Sequence, residues 1–319
     1  MDGAAPPPLV SIPQAPAPPD ATAEWVQVGR ARLRAALFPA SDPARGSVVL
    51  SPGRTEPIEK YLEVVAELRG RGFAVLAHDW FGQGLSTRPL KDPLRGHAVS
   101  WRRFLAEFRA LLDAFEGRLP RPWIALGHSM GGGLTALALA EGERRFAGAA
   151  LSAPMTGVKT GGRPAAQVRL VAKLMRLVGL GGRLPLPPVD PARETFETNT
   201  LTHDRARWER ARAQVAAEPA LALGGPTWGW LSFALELSAR LKRPGGAEGV
   251  AIPVAVLLAG EEKLVDNACT RAFAARLPNA TCETIEGAYH ELLMETDAVR
   301  ARFWSAFDRM ADDAAPPVS

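Results

Sequence analysis

Cysteine is nearly absent from this chain, with two thiols, Cys269 and Cys282, in 319 residues. Two are too few for a disulfide framework, and neither lies in a CxxC pair or beside histidines. Both are expected as reduced packing residues of a cytosolic protein. Lysine is scarce too: of 38 basic residues 6 are lysine and 32 arginine, and against 34 acidic residues the formal charge is +4. With no long like-charge run, nucleic acid is not expected as a partner. No uninterrupted apolar stretch reaches the length that spans a bilayer. The opening MDGAAPPPLVSIPQAPAPPD lacks the basic start and apolar run of a signal peptide. Its Pro and Ala content predicts a disordered or extended arm over residues 1–22.

What is present suits one large domain with an insertion: 47% hydrophobic and 23% charged residues. Weak alternation from about Trp25 to Arg34 predicts an opening strand pair. Ser47–Ser51, Phe73–Ala77, Trp123–Leu126 and Ala147–Leu151 read as buried strands, with helical apolar spacing between them. That succession builds a parallel sheet through right-handed crossovers. The rhythm breaks from about Thr156 to Glu248, where no convincing strand appears. It resumes with Val254–Leu258, a helix from about Asn267, a strand near Cys282–Ile285 and a last helix bearing Phe303, Trp304 and Phe307. The expected division is a core of residues 23–155 and 249–312, a helical cap or lid of residues 156–248, and a disordered tail of residues 313–319.

Gly127-His128-Ser129-Met130-Gly131 fits G-x-S-x-G, directly after a buried strand and directly before an apolar helix. A serine on such a tight, strained turn stands above the sheet edge with its hydroxyl exposed, as a nucleophile must. The small flanking residues spare the adjoining backbone. Histidine is scarce, which helps: of His78, His97, His128, His203 and His290, only His290 follows the last predicted strand. It is the expected base. The acid should lie in the turn after Val254–Leu258. Glu262 is favoured there, with Asp266, a natural helix N-cap, as the alternative and Glu261 third. Two backbone N–H donors are needed for the tetrahedral oxygen, and Met130 and Arg54 are the candidates. Asp79, in the loop from Asp79 to Ser86, reads as part of a structural turn.

Pro52-Gly53-Arg54-x-Glu56-x-x-x-Lys60-Tyr61, the Asp79–Ser86 loop, Gly127–Gly132, Val265-Asp266-Asn267 and Gly287-Ala288-Tyr289-His290 together resemble the bacterial lysophospholipase branch of the monoacylglycerol-lipase-like serine hydrolases. Asn199–His203 and Gly224-Gly225-Pro226-Thr227-Trp228-x-Trp230 resemble that branch's cap. The likeness covers about Trp25 to Met310. It implies the α/β-hydrolase fold, a mostly parallel sheet flanked by helices, with the cap inserted after the fourth parallel strand. It implies hydrolysis of a carboxylic ester with one long acyl chain, without metal or organic cofactor. Ser129, Glu262 and His290 fall on its triad positions, and Arg54 and Met130 on its oxyanion positions. Two departures stand out: monoacylglycerol lipases usually carry His-Gly at Pro52-Gly53 and aspartate at Glu262.

In the cap, Val168, Val171, Leu174, Met175 and Val178 recur at helical spacing with Arg169, Lys173 and Arg176 between them. Such a helix either lies on an anionic bilayer or buries its apolar face on the core. Trp228 and Trp230 either line an acyl pocket or fill the cap's own core. The expected partner is a small ester or single-chain lipid, for a cytoplasmic protein with peripheral contact at the inner membrane face. An acyltransferase using the same triad, a small-ester esterase and a non-catalytic binding protein stay open as rivals, and oligomeric state is not specified.

Overall fold

The computed structural model describes residues 5–41, 43–187 and 194–317. Among them, β1 (Thr22–Val28), β2 (Ala31–Phe38), β3 (Gly46–Ser51), β4 (Phe73–His78), β5 (Trp123–His128), β6 (Phe146–Ser152), β7 (Val254–Ala259) and β8 (Ala280–Ile285) form one sheet. Its spatial order is β1-β2-β4-β3-β5-β6-β7-β8. Strand β2 runs antiparallel to both neighbours, while β3 to β8 are parallel. This is the mostly parallel sheet of the α/β-hydrolase fold. Strands β3, β4, β5 and β7 are buried along their whole length. Their continuous apolar runs follow from helices covering both faces.

The crossovers are α1 (Leu62–Gly70), α2 (Trp101–Phe115) and α3 (Ser129–Ala140); between β6 and β7 stand α4 (Ala165–Leu177), α5 (Arg205–Ala217) and α6 (Trp228–Leu241); α7 (Asn267–Ala274) joins β7 to β8, and α8 (Asp297–Ala314) follows. Side chains alternate across the strands. Val49 points into the layer under α2 and α3, while Val48 and Leu50 point into the layer under α1 and α8. Helix α2 buries Phe104, Leu105, Phe108, Leu111, Leu112 and Phe115 as a single face. Its first turn is capped by Ser100 Oγ, which accepts from Arg103 N at 3.3 Å.

Expectations change at both ends of the chain. The arm is extended and docked, not disordered, over residues 5–21. Val10 N donates to Glu59 Oε1 at 3.0 Å, and Pro8 O accepts from Arg34 Nη1 at 2.9 Å. Ile12 and Ala15 are buried in the layer under α1 and α8. The reason is electrostatic. Arg34 is fully buried between Asp79, 2.7 Å from Nε, and Glu59, bound by both Nη atoms at 2.7 Å. A buried ion cluster has hydrogen-bonding capacity left over, and the backbone of the arm at Pro8 and Val10 fills it. The same cluster fixes the loop after β4: Asp79 also accepts from Ile58 N at 3.0 Å and Leu85 N at 2.8 Å. At the other end, residues 313–315, expected in a disordered tail, are ordered. Helix α8 runs to Ala314, and Ala315 is fully buried against the core. Residues 1–4, 188–193 and 318–319 of the expected arm, cap and tail lie outside the described residues.

For helix α4 two readings stood open. It packs against α6 but buries only Ala172. Leu170, Val171, Leu174, Leu177 and Val178 are exposed, Leu177 at 71%, and the exposed surface continues through Leu180 and Leu186, the latter at 75%. The apolar face is therefore not turned onto the core. Cys282 is likewise exposed on β8 instead of packed, and both cysteines are free thiols.

Candidate active site

Strand β5 ends at His128 and α3 begins at Ser129, whose φ is +50°. A non-glycine residue in the left-handed region costs about 1–3 kcal/mol and persists only where its surroundings hold it. Two glycines do so here. A Cβ on Gly127 would come within 2.8 Å of Gly132 Cα, and one on Gly131 would strike the carbonyl oxygens of Ser51 and Pro52. The turn after β3 thus lies directly on the elbow.

Ser129 Oγ is 2.8 Å from His290 Nε2, and His290 Nδ1 is 2.7 Å from Glu262 Oε2. The other carboxylate oxygen, Glu262 Oε1, accepts from Leu264 N at 2.7 Å and Val265 N at 3.1 Å. Burial alone would raise the Glu262 carboxyl. Its hydrogen bond and charge interaction with His290, with the two backbone donors, instead hold it below the usual range. The alternative acid is engaged elsewhere. Asp266 caps α7, its Oδ1 accepting from Ala268 N at 2.9 Å and Cys269 N at 3.4 Å, and Glu261 is exposed. The structure therefore brings together Ser129, His290 and Glu262, an arrangement able to pass a proton from the hydroxyl to the imidazole.

The oxyanion candidates flank this relay. As one of the first residues of α3, Met130 has an N–H with no acceptor inside the helix, and Arg54 follows Gly53 in the turn resting on the elbow. That turn is tied down by Glu56. Glu56 Oε2 accepts from Gly53 N at 2.5 Å and Tyr61 OH at 2.6 Å, and Oε1 from Lys60 Nζ at 2.9 Å. Lys60 Nζ also reaches Glu291 Oε1 at 2.5 Å, beside His290. Burial opposes ionisation of Glu56, but the charges of Lys60 and His128 and the Tyr61 bond keep its carboxyl well below the ordinary range. Sequence reasoning missed this network as a unit. The available signal was the Glu56/Lys60 spacing of four, which does not disclose Glu291. Gln83 and Trp80 complete the hold, with Thr55 N donating to Gln83 Oε1 at 2.7 Å and Trp80 Nε1 to Pro52 O at 2.9 Å.

The loop carrying His290 is braced by Asn199–His203. Glu291 N donates to Leu201 O at 2.9 Å, Thr202 Oγ1 to Met294 O at 2.7 Å, and His203 pairs with Glu295 at 2.8 Å while stacking on Tyr289. Trp230 lies beneath the Arg54 guanidinium, Cζ 5.4 Å from its ring centre. Trp228 instead donates its backbone N–H to Arg183 O at 2.9 Å. A cavity of about 350 Å³ opens between Thr55 and Glu291, with Pro57, Trp208, Val215 and Leu221 among its walls; Ser129, His290 and Glu262 do not line it. Among the described residues no group of three His, Cys, Asp or Glu side chains is placed to hold a metal ion.

Two further histidines are buried neutral. Burial brings His78 down to about 3 and His128 to about 4, the latter with Glu56 opposing the shift. Unfolded histidine takes its proton near pH 6.5, so the unfolded chain binds protons first as pH falls. The stability these two groups contribute is fully present above about pH 6.5 and is lost as pH drops through their folded values. Melting curves should show Tm falling already between about pH 6.5 and 5, above the ordinary carboxylate range; a flat Tm there would contradict the assignment.

Residues 42–297 match the family described as Hydrolase_4, serine aminopeptidase S33. The chain belongs to this family. Among its relatives, lysophospholipase L2 of Escherichia coli K12 is 33% identical over 273 residues, covering 80% of this chain and 76% of that protein. The monoacylglycerol lipase of Mycolicibacterium smegmatis is 27% identical over 262 residues, covering 81% and 85%. In fold, this Hydrolase_4 member is similar to a soluble variant of monoglyceride lipase from Saccharomyces cerevisiae solved with a substrate analogue. The TM-score is 0.71 at 17% identity, covering 91% of this chain and 95% of that one.

Proposed function

We propose that this carboxylic-ester hydrolase cleaves single-chain lipid esters, lysophospholipid or monoacylglycerol, through an acyl-enzyme on Ser129. The observation that carries the reading is the relay from Ser129 Oγ through His290 to Glu262, at 2.8 and 2.7 Å. His290 Nε2 takes the hydroxyl proton as Oγ attacks the ester carbonyl. Glu262 holds the imidazole with Nδ1 protonated and stabilises the imidazolium. The N–H groups of Met130 and Arg54 receive the oxyanion, aided by the positive end of α3. The alcohol leaves with the proton from His290, and a water then repeats the steps to release the acid. Relatives named for lysophospholipase and monoacylglycerol lipase activity support the substrate class.

A screen of p-nitrophenyl esters of graded length beside lysophosphatidylcholine and monoacylglycerol tests this. Hydrolysis of both lipids and a preference for long acyl esters are expected; activity confined to short esters would defeat the lipid reading.

The segment of residues 156–248 acts as a cap that meets the membrane through α4. No helix among the described residues is long and apolar enough to cross a bilayer. The exposed apolar stripe of α4, bordered by Arg169 and Lys173, instead suits the plane of an anionic surface. Leu174→Asp with Leu177→Asp should abolish co-sedimentation with phosphatidylglycerol vesicles and spare hydrolysis of a soluble short-chain ester. Unchanged sedimentation would place the contact elsewhere.

A further inference from the structure

The oxyanion role assigned to position 54 needs only a backbone N–H, yet the residue is an arginine, and among the described residues no carboxylate pairs with its side chain. Arg34, fully buried, is matched by two carboxylates. Arg54 instead gives one Nη2 hydrogen bond to the carbonyl of Gly224, and its Nε is buried without an acceptor. Burial draws the guanidinium down to about 10 with no opposing carboxylate, so it stays charged at neutral pH. Trp230, whose ring lies 5.4 Å from Arg54 Cζ, has a buried Nε1 with no acceptor either. Two neighbouring N–H donors therefore lack acceptors among the described residues, and the guanidinium is met by an aromatic face with no carboxylate beside it.

The chain makes room for that arrangement. Residues 94–96 and 224–227 form a strap, with Gly96 N bonded to Gly225 O at 3.0 Å, Gly224 N to Leu94 O at 2.7 Å and Thr227 N to Gly96 O at 2.8 Å. A Cβ on Gly96 would come within 2.7 Å of Arg54 Nη2. The glycine leaves the seat the guanidinium occupies, between the oxyanion turn and α6.

We propose that Arg54 and Trp230 form an anion subsite that receives the phosphate of the substrate's head group, selecting lysophospholipid over neutral monoacylglycerol. This rests on the ester-hydrolase reading of Ser129 and His290. A guanidinium with a free Nε–H suits a phosphate oxygen, and such charge-assisted bonds are the strong ones. The geometry is consistent in scale: the span from a backbone nitrogen to the guanidinium of the same arginine is comparable with the glycerol span from acyl ester to phosphate. Monoacylglycerol would leave both donors unpaired, which is how a site built for a polar group rejects an analogue lacking it.

The test compares kcat/KM for lysophosphatidylcholine and monoacylglycerol of one acyl chain, each below its aggregation threshold. The parent protein should favour the phospholipid. Arg54→Met should lower the ratio of the two about 100-fold and Trp230→Phe about 10-fold, the size of a lost hydrogen bond to a charged group, with Arg54→Lys in between. Equal loss on both substrates would overturn the subsite. Calorimetry of glycerophosphocholine with the Ser129→Ala protein reads the subsite without turnover, so a failed hydrolase reading and a failed subsite are told apart. Binding that Trp230→Phe weakens is expected; absence of binding, or equal affinity for inorganic phosphate, would overturn the head-group assignment.

Discussion

Alanine at position 129 should leave a folded protein that hydrolyses p-nitrophenyl esters about 10⁶-fold more slowly than the parent. The size follows from how the relay works as a unit. Without Oγ, His290 Nε2 faces a methyl group, no acyl-enzyme can form, and what survives is the stabilisation offered by the backbone donors and by substrate binding. Folding should be spared. Alanine tolerates the +50° φ of this elbow about as well as serine does, and the hydroxyl's recorded partner is His290. Two measurements check this. Steady-state kcat gives the rate, and a fluorophosphonate should label the parent stoichiometrically and the Ser129→Ala protein not at all. A rate within tenfold of the parent, or retained labelling, would mean that another nucleophile does the chemistry.

The elbow could be read from sequence because several local requirements coincide there. A buried strand run, glycines where backbones touch and an apolar helix all converge on Ser129, and each leaves its mark within a few residues. His290 was legible by elimination, as the histidine after the last strand. The acid was harder. Three carboxylates lie within six residues of Glu261, and choosing among them depends on which one the turn's own N–H groups can hold. Leu264 and Val265 donate to Glu262, while the start of α7 claims Asp266. Such choices belong to backbone paths, which composition and periodicity do not specify.

Other features were illegible for a different reason. Lys60 and Glu291 are separated by 231 positions, so no local pattern announces the bond between the oxyanion turn and the histidine loop. The docked arm is a similar case: its composition argues against a packed core of its own, but Arg34 and Glu59 need groups that the arm supplies. With α4 the limit is sharper. Its apolar spacing reads the same whether the face meets a core or a lipid surface, and only the packing leaves Leu174 and Leu177 uncovered.

Replacing Glu262 by glutamine, one atom different in size and shape, should lower kcat about 10⁴-fold by reversing a proton preference. The position of Oε1 must remain an acceptor, because Leu264 N and Val265 N both donate to it. The amide oxygen takes that place, which turns the NH₂ toward His290 Nδ1, 2.7 Å away in the parent. An N–H donor there requires Nδ1 to be unprotonated. The proton then sits on Nε2, facing Ser129, and the imidazole can no longer accept from the hydroxyl. Glu262→Asp keeps the charge but shortens the reach by one methylene, so the carboxylate cannot serve both His290 and the turn. A displacement of that size costs about 10²-fold. Asp266→Ala should instead leave kcat close to the parent and destabilise α7 by about 1 kcal/mol through the lost N-cap. Linkage adds a second readout. The Glu262 carboxyl is held below its ordinary range when folded, so its contribution to stability is present above the unfolded carboxylate pKa and is lost as pH falls through the folded value. Glutamine removes that pH dependence along with the activity. An Asp266 variant that loses more kcat than Glu262→Gln would move the acid's role to Asp266, against the hydrogen bonds that now occupy it.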